Sequence, residues 1–166
     1  MSGRFSNSKS QGFLASLAQL VSLDDVACKL SERCKFNFSY LDSSQAFSSS
    51  FDDLDPEELI KFINKLHEYC KFSLDYWKTV GVGKKRNGAL AIYGAFPPHS
   101  EFTKPTYIPH QASWGRFRMD GTTRLAGFVI PDEYNEIKHK GTSYLYDSNT
   151  FYVVFIDREH KFYPVK

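Results

Sequence analysis

Two stretches of this chain repeat apolar residues at the spacing of an α-helix. The first runs from Phe13 to Val21 and continues less regularly after an interruption at Ser22-Leu-Asp-Asp. Residues three and four apart lie on one face of a helix, so this pattern predicts one broken helix or two short ones. We expect a helical extension at residues 11–35, preceded by a flexible N-terminus at residues 1–10.

The second helix signal begins at Asp55-Pro-Glu-Glu. The aspartate can cap free amide groups, the proline suits the first helical position, and the two glutamates meet the positive end of the helix dipole. Apolar residues then recur at intervals of three and four from Leu59 to Trp77. This pattern predicts one amphipathic helix of about twenty residues that ends near Gly81.

Six further stretches are predicted strands. The first alternates large apolar with small polar residues, which is the period of a half-buried strand. The six are residues 36–41, 89–94, 114–119, 124–130, 150–156 and 161–165. Asp120-Gly-Thr-Thr, between the third and the fourth, is a turn of the kind that joins antiparallel strands. We therefore expect an α+β fold within a single domain at residues 11–166, with the N-terminal helices and one long helix packed on a mainly antiparallel sheet.

A long irregular segment interrupts this pattern at residues 94–113. It holds four prolines, two histidines and the aromatic residues Phe96, Phe102 and Tyr107. A loop of this length inside a compact domain usually has a function or is disordered. Because of its aromatic residues, we expect this Pro-rich segment to pack on the rest of the protein or to bind another one.

Charge is distributed unevenly along the chain. Residues 1–76 carry 8 Lys and Arg against 11 Asp and Glu, whereas residues 77–166 carry 13 against 8. Positive charge is what attracts nucleic acids and other polyanions. An anion-binding surface is therefore expected in the C-terminal half of the chain.

Cysteines and histidines give no pattern typical of a metal or redox site. The three cysteines have no CxxC spacing, and the five histidines form no HExxH motif. We expect buried structural cysteines, no metal and no cofactor. No signal peptide and no run of eighteen apolar residues is found, so we expect a cytoplasmic protein without a membrane partner.

Three arginines lie close together on the predicted hairpin. Arg116 and Arg118 are two apart on one strand and so project from the same face, and Arg124 begins the partner strand. Arginine matches the charge and geometry of a phosphate well. The same side chains could equally lie on the solvent-exposed face of a sheet and pair with Asp120, Asp132 or Glu133.

His160 and Tyr163 follow the next predicted strand, close to Asp157. Histidine is the side chain best suited to proton transfer near neutral pH. A phenol can donate a hydrogen bond to an oxyanion or stack on a base. Both residues could also be purely structural, so the sequence leaves their roles open.

The hairpin has the sequence Arg-Phe-Arg-x-Asp-Gly-x-x-Arg-Leu-x-Gly-Phe-Val, and the final strands have Phe-Tyr-Val-Val-Phe-Ile-x-x-x-His-Lys-Phe-Tyr. With a strand and a long helix before them, these motifs resemble the RelE/ParE superfamily of toxin-like proteins. The resemblance assigns a RelE-like core to residues 36–166, with the Pro-rich segment as an insertion. It implies a metal-independent endoribonuclease that cuts messenger RNA, often on the ribosome, by attack of a ribose 2′-hydroxyl on the neighbouring phosphate.

The resemblance also implies roles for individual residues. Arg116, Arg118 and Arg124 would stabilise the charge of the phosphorane, and His160 or Tyr163 would move protons. Six further residues are predicted to bind RNA: Lys84, Lys85, Arg86, Tyr107, Trp114 and Arg158.

The sequence is therefore compatible with two functions. The first is an RNA-binding endoribonuclease of toxin type, whose partners would be RNA or the ribosome and an antitoxin. The alternative is a non-catalytic interaction factor of a phage or bacterial defence system, which would bind another protein through the Pro-rich segment. Either function is compatible with a homodimer.

Overall fold

The computed structural model describes residues 12–13, 16, 22–82 and 87–164. The chain divides into two compact units, Met1–Ser31 and Glu32–Lys166. In the first unit, Gly12, Phe13 and Ser16 are helical, and a 3₁₀ turn covers Val26–Cys28. Most of the predicted helix between Phe13 and Val21 lies outside the described residues.

The second unit has a mixed α+β fold built on a five-stranded sheet. The strands are β1 (Lys35–Asn37), β4 (Leu90–Gly94), β5 (Ser113–Arg118), β6 (Arg124–Val129) and β7 (Thr150–Asp157), and a separate ribbon pairs β2 (Gly81–Val82) with β3 (Asn87–Gly88). Their order across the sheet is β1-β7-β6-β5-β4. Strand β1 runs parallel to β7 and the other three pairs are antiparallel, so the sheet is mainly antiparallel.

Two helices replace the single long helix expected from the sequence. Helix α1 covers Pro56–Tyr69 and helix α2 covers Leu74–Thr79. A second helix begins after Ser73 because the Ser73 hydroxyl accepts a hydrogen bond from the amide of Tyr76 and so caps α2. The carbonyl group of Tyr69, released at the end of α1, accepts hydrogen bonds from Cys34 Sγ and Trp77 Nε1. Within the described residues, no helix has both the length and the apolar character needed to span a membrane.

Each face of the sheet is covered by its own hydrophobic core. On the first face the core joins the two helices to the sheet, through Phe62, Tyr69, Leu74, Trp77, Phe117, Leu125, Phe151 and Ile156. On the second face the core joins the sheet to the Pro-rich segment and to the chain after β7, through Phe102, Ile108, Trp114, Phe128, Phe155 and Phe162. The aromatic residues at 96 and 102 therefore pack on the sheet, as expected for this segment.

Strand β6 approaches β7 closely at a register shift between Ala126 and Gly127. A Cβ atom at Gly127 would lie 2.0 Å from the carbonyl oxygen of Tyr152, so no larger residue fits there without moving the backbone. The shift gives β7 one extra residue, and Val153 packs on the first face while Val154 packs on the second.

Four predicted strands are confirmed to within one or two residues, and two are not. The predicted strand at 36–41 is only β1, because the side chain of Asn37 accepts a hydrogen bond from the amide of Ser39 and turns the chain. The prediction of a strand at 161–165 is wrong for the described residues, 161–164. There the carboxylate of Asp157 accepts hydrogen bonds from the backbone amides of Glu159, Lys161 and Phe162 at 3.1, 3.0 and 2.9 Å. These bonds stabilise a turn in place of a strand.

Candidate anion-binding site

The register of the sheet brings the three arginines of the hairpin onto one face. Arg118 lies directly opposite Arg124, and Arg116 lies opposite Ala126. Alternate residues of a strand point to the same face, and Phe117 and Leu125 belong to the core of the first face. The three arginines therefore project from the second face, at the end where the β5–β6 turn lies.

Arg124 is a buried residue with only 4% of its surface exposed. Its Nη1 donates to the carbonyl oxygens of Asp120 at 2.9 Å and Thr123 at 2.8 Å, and its Nη2 lies 3.4 Å from the carbonyl oxygen of Gly121. The turn between β5 and β6 thus wraps around one edge of the guanidinium group. The opposite atom, Nε, is buried and has no hydrogen-bond partner among the described residues.

Arg116 lies beside a pair of stacked tyrosine rings. Its Nε donates to the hydroxyl of Tyr93 at 2.7 Å, while its Nη1 is buried without a partner in the described part of the chain. The rings of Tyr93 and Tyr163 stack with centroids 4.4 Å apart and planes 8° apart. This stack places Tyr163, which lies in the chain after β7, against the tyrosine that contacts Arg116.

His160 reaches the same turn from the other side. Its Nε2 lies 3.3 Å from the carbonyl oxygen of Gly121, the oxygen that Arg124 also contacts. His160 has a φ of 59° within the turn that the Asp157 carboxylate holds. A buried carboxylate, 1% exposed, thus fixes the backbone that carries the imidazole.

Electrostatics show an excess of positive charge at this place. Burial, together with the charges of Arg116 and Arg118, lowers the pKa of Arg124 to about 10, against the opposing effect of Asp120 and Asp157. Both carboxylates accept hydrogen bonds from backbone amides. Asp120 accepts those of Thr122 at 2.7 Å and Thr123 at 2.6 Å, and Asp157 accepts those of the turn that follows β7.

No ion pair of Arg116 or Arg124 with a carboxylate is found within the described residues. The alternative expectation, arginines paired with acidic neighbours, is therefore not met at these two positions. Burial also raises the pKa of Tyr93, although Arg116 and Arg124 act to lower it.

The other predicted site residues lie elsewhere. Trp114 is 1% exposed and its ring meets Phe96 edge to face at 4.8 Å, so it is a core residue. Tyr107 is 56% exposed and stacks on Tyr40 at a centroid distance of 6.4 Å. Arg158 forms an ion pair with Glu58 on α1. The three basic residues Lys84, Lys85 and Arg86 lie outside the described residues.

Sequence reasoning did not single out Tyr93 as a site residue. Its place beside Arg116 depends on the register of β4 against β5, two strands separated by the whole Pro-rich segment. The sequence shows only that Tyr93 is an aromatic residue with a polar hydroxyl near the end of a predicted strand.

This site can bind an anion and carries a titratable side chain beside it. Within the described residues, no three His, Cys, Asp or Glu side chains are grouped so as to hold a metal ion. No protein family, curated protein or solved structure matches this chain.

Proposed function

We propose that this protein binds RNA at the cluster of Arg116, Arg118 and Arg124 and cleaves it by attack of a ribose 2′-hydroxyl. The observation that supports the proposal is the pair of buried guanidinium atoms, Arg116 Nη1 and Arg124 Nε, that have no partner among the described residues, together with the contact of Arg124 and the His160 imidazole with one carbonyl oxygen. The resemblance of the hairpin and the final strand to the RelE/ParE superfamily supports the same reaction.

Unpaired cationic groups in a protein interior are costly. Burying a charge is tolerated when the charge is paired or hydrogen-bonded, and Arg124 has only neutral carbonyl groups as partners. A phosphate would supply both negative charge and several acceptor oxygens, and the planar guanidinium fork matches its geometry. Acidic residues lie close by, but no carboxylate of the described residues pairs with Arg116 or Arg124. The arrangement therefore favours a phosphate as the partner of these two arginines.

Phosphodiester cleavage needs proton transfer as well as charge stabilisation. In the proposed reaction the 2′-oxygen forms a bond to phosphorus, the bond from phosphorus to the 5′-oxygen breaks, and a 2′,3′-cyclic phosphate remains. One proton leaves the 2′-hydroxyl and one is delivered to the leaving 5′-oxygen. His160 moves protons in this scheme, the arginines stabilise the negative charge that develops on the phosphate oxygens, and the Tyr163 hydroxyl donates a hydrogen bond.

End-labelled RNA incubated with the purified protein in the presence of EDTA tests the proposal. We expect fragments that end in 2′,3′-cyclic phosphate. Arg116→Gln and His160→Gln should each reduce the rate roughly a hundredfold or more. The matched controls, Arg33→Gln and His67→Gln, remove the same side chains from exposed positions and should cleave like the wild type.

Two results would contradict the proposal. RNA that stays intact with high protein concentrations, both free and on ribosomes, would remove the nuclease claim. Cleavage that survives Arg116→Gln and His160→Gln would show that the activity does not come from this site. Circular dichroism of each variant is needed beside the assay, because an unfolded protein would also be inactive.

A further inference from the structure

A cavity of about 300 Å³ lies at the other end of the sheet face that carries the arginines. Phe128 and Tyr152 contribute to its floor, and they are opposite each other on β6 and β7. Phe128 is on the same face, four residues along β6 from Arg124 and two from Ala126, which lies opposite Arg116, so along the strand it is about 14 Å from Arg124 and about 7 Å from the level of Arg116. The cavity and the anion site thus lie over opposite ends of the same sheet face, on which the Pro-rich segment also packs.

Aromatic side chains form much of the lining of this cavity. The rings of Phe128 and Tyr152 stack with centroids 4.9 Å apart and planes 7° apart, and Tyr40 meets both of them edge on. On the opposite side, Tyr146 meets Tyr134 at 5.9 Å and His139 at 5.3 Å, again edge to face. The lining thus offers aromatic side chains to a flat ligand.

The polar groups of the cavity are available to such a ligand. The hydroxyls of Tyr40, Tyr134, Tyr146 and Tyr152 make no hydrogen bond to another residue in the described part of the chain. None of the described lining residues is Lys, Arg, Asp or Glu. A flat aromatic molecule with hydrogen-bonding edges and no charge of its own fits this chemistry, and the volume is at the lower end of small-molecule sites.

We propose that the cavity binds one nucleobase of the RNA whose phosphate lies at the arginine cluster. This inference rests on the proposed function. Stacking on aromatic side chains tolerates every base, whereas the tyrosine hydroxyls and His139 can select among bases by hydrogen bonding. The spacing along β6 means that the bound base belongs to a nucleotide close to the cleaved bond.

Oligonucleotides carrying a single 2-aminopurine, placed in turn at each position around the cleaved bond, test this proposal. We expect fluorescence quenching on binding at one position close to the cleaved bond. Tyr152→Leu and Tyr134→Leu should each remove that quenching and raise KM roughly tenfold with little change in kcat. Tyr144→Leu is the matched control, because this tyrosine is 78% exposed in the same loop and does not line the cavity.

The outcomes separate this inference from the proposed function. Cleavage that depends on Arg116, with no position quenched or with quenching that survives both leucine variants, overturns the nucleobase site and leaves the nuclease intact. If wild-type protein does not cleave RNA, titration with adenosine, guanosine, cytidine and uridine tests the cavity directly. Saturable binding that Tyr134→Leu weakens supports the site, and no binding of any nucleoside overturns it. Melting curves establish that each variant is folded.

Discussion

Arg124 and His160 contact the same atom. The arginine Nη2 lies 3.4 Å and the histidine Nε2 lies 3.3 Å from the carbonyl oxygen of Gly121. Strand β6 carries the first residue and the turn after β7 carries the second, so one backbone carbonyl in the β5–β6 turn joins a fixed charge to a titratable group. Movement of this turn would affect both groups together.

Inorganic phosphate should stabilise the wild-type protein against thermal unfolding. A ligand that binds only the folded state adds about 2.7 kcal/mol when its concentration is a hundred times its Kd. Melting temperatures measured in phosphate and in chloride at equal ionic strength give the effect, which should be lost in Arg116→Gln and kept in Arg33→Gln. An equal shift in both variants would mean that phosphate acts elsewhere on the protein.

Tyr93→Phe should weaken catalysis with little effect on folding. The substitution removes the hydroxyl that accepts the hydrogen bond from Arg116 Nε at 2.7 Å and keeps the ring that stacks on Tyr163. Loss of this single hydrogen bond costs about 1 kcal/mol, enough for a severalfold lower rate of RNA cleavage. Tyr93→Leu, which also removes the stack, should be slower still. Equal rates for the wild type and Tyr93→Phe would show that this hydrogen bond does not orient Arg116 for the reaction.

Asp120 should make stability depend on pH below about 4. Burial acts to raise its pKa, but the amides of Thr123 and Thr122 and the Thr123 hydroxyl hold the pKa below its ordinary value. The carboxylate therefore stabilises the fold at pH values above the unfolded pKa of about 3.9, and this contribution is lost as the pH falls through the lower folded value.

Urea unfolding of wild-type protein and Asp120→Asn at several pH values measures this contribution. We expect a difference of about 1 kcal/mol at neutral pH, kept small because the side chain is partly exposed to solvent. The difference should shrink toward pH 3. A difference that stays constant with pH would indicate that charge plays no part in the turn.

Gly127→Ala should be strongly destabilising. The added Cβ atom would lie 2.0 Å from the carbonyl oxygen of Tyr152, a backbone atom that cannot move without disturbing β7. We expect a loss of roughly 3 kcal/mol in the free energy of unfolding, at the upper end of the cost of overpacking. Gly121→Ala is the control, since a Cβ atom there meets nothing within 4 Å. Comparable stability of the two variants would contradict the close approach of β6 and β7.

The hairpin and its arginines could be predicted because their determinants are local. Two short runs rich in residues typical of strands flank Asp120-Gly-Thr-Thr, which defines the turn between them. The common face of Arg116 and Arg118 follows from their spacing alone. Their relation to Arg124 needed only the length of the turn, which the sequence also displays.

Other parts of the fold and the site depend on contacts between distant residues. The stack of Tyr93 on Tyr163 joins β4 to the chain after β7, and no local pattern encodes it. The break after Tyr69 was missed because apolar residues continue at helical spacing through it, although Ser73 is a recognisable cap. The burial of Trp114 was missed because strand periodicity does not show that a loop covers the second face.

Strand β1 pairs only with β7, and Lys35 is opposite Thr150, more than a hundred residues later in the chain. A strand of three residues is not stable by itself. We therefore expect β1 to form only after β7 has paired with β6. Pairing over such long sequence separations slows folding. We therefore expect the hairpin that carries the arginines to form early and the edge of the sheet to close last, with refolding slower than for a helical protein of similar size.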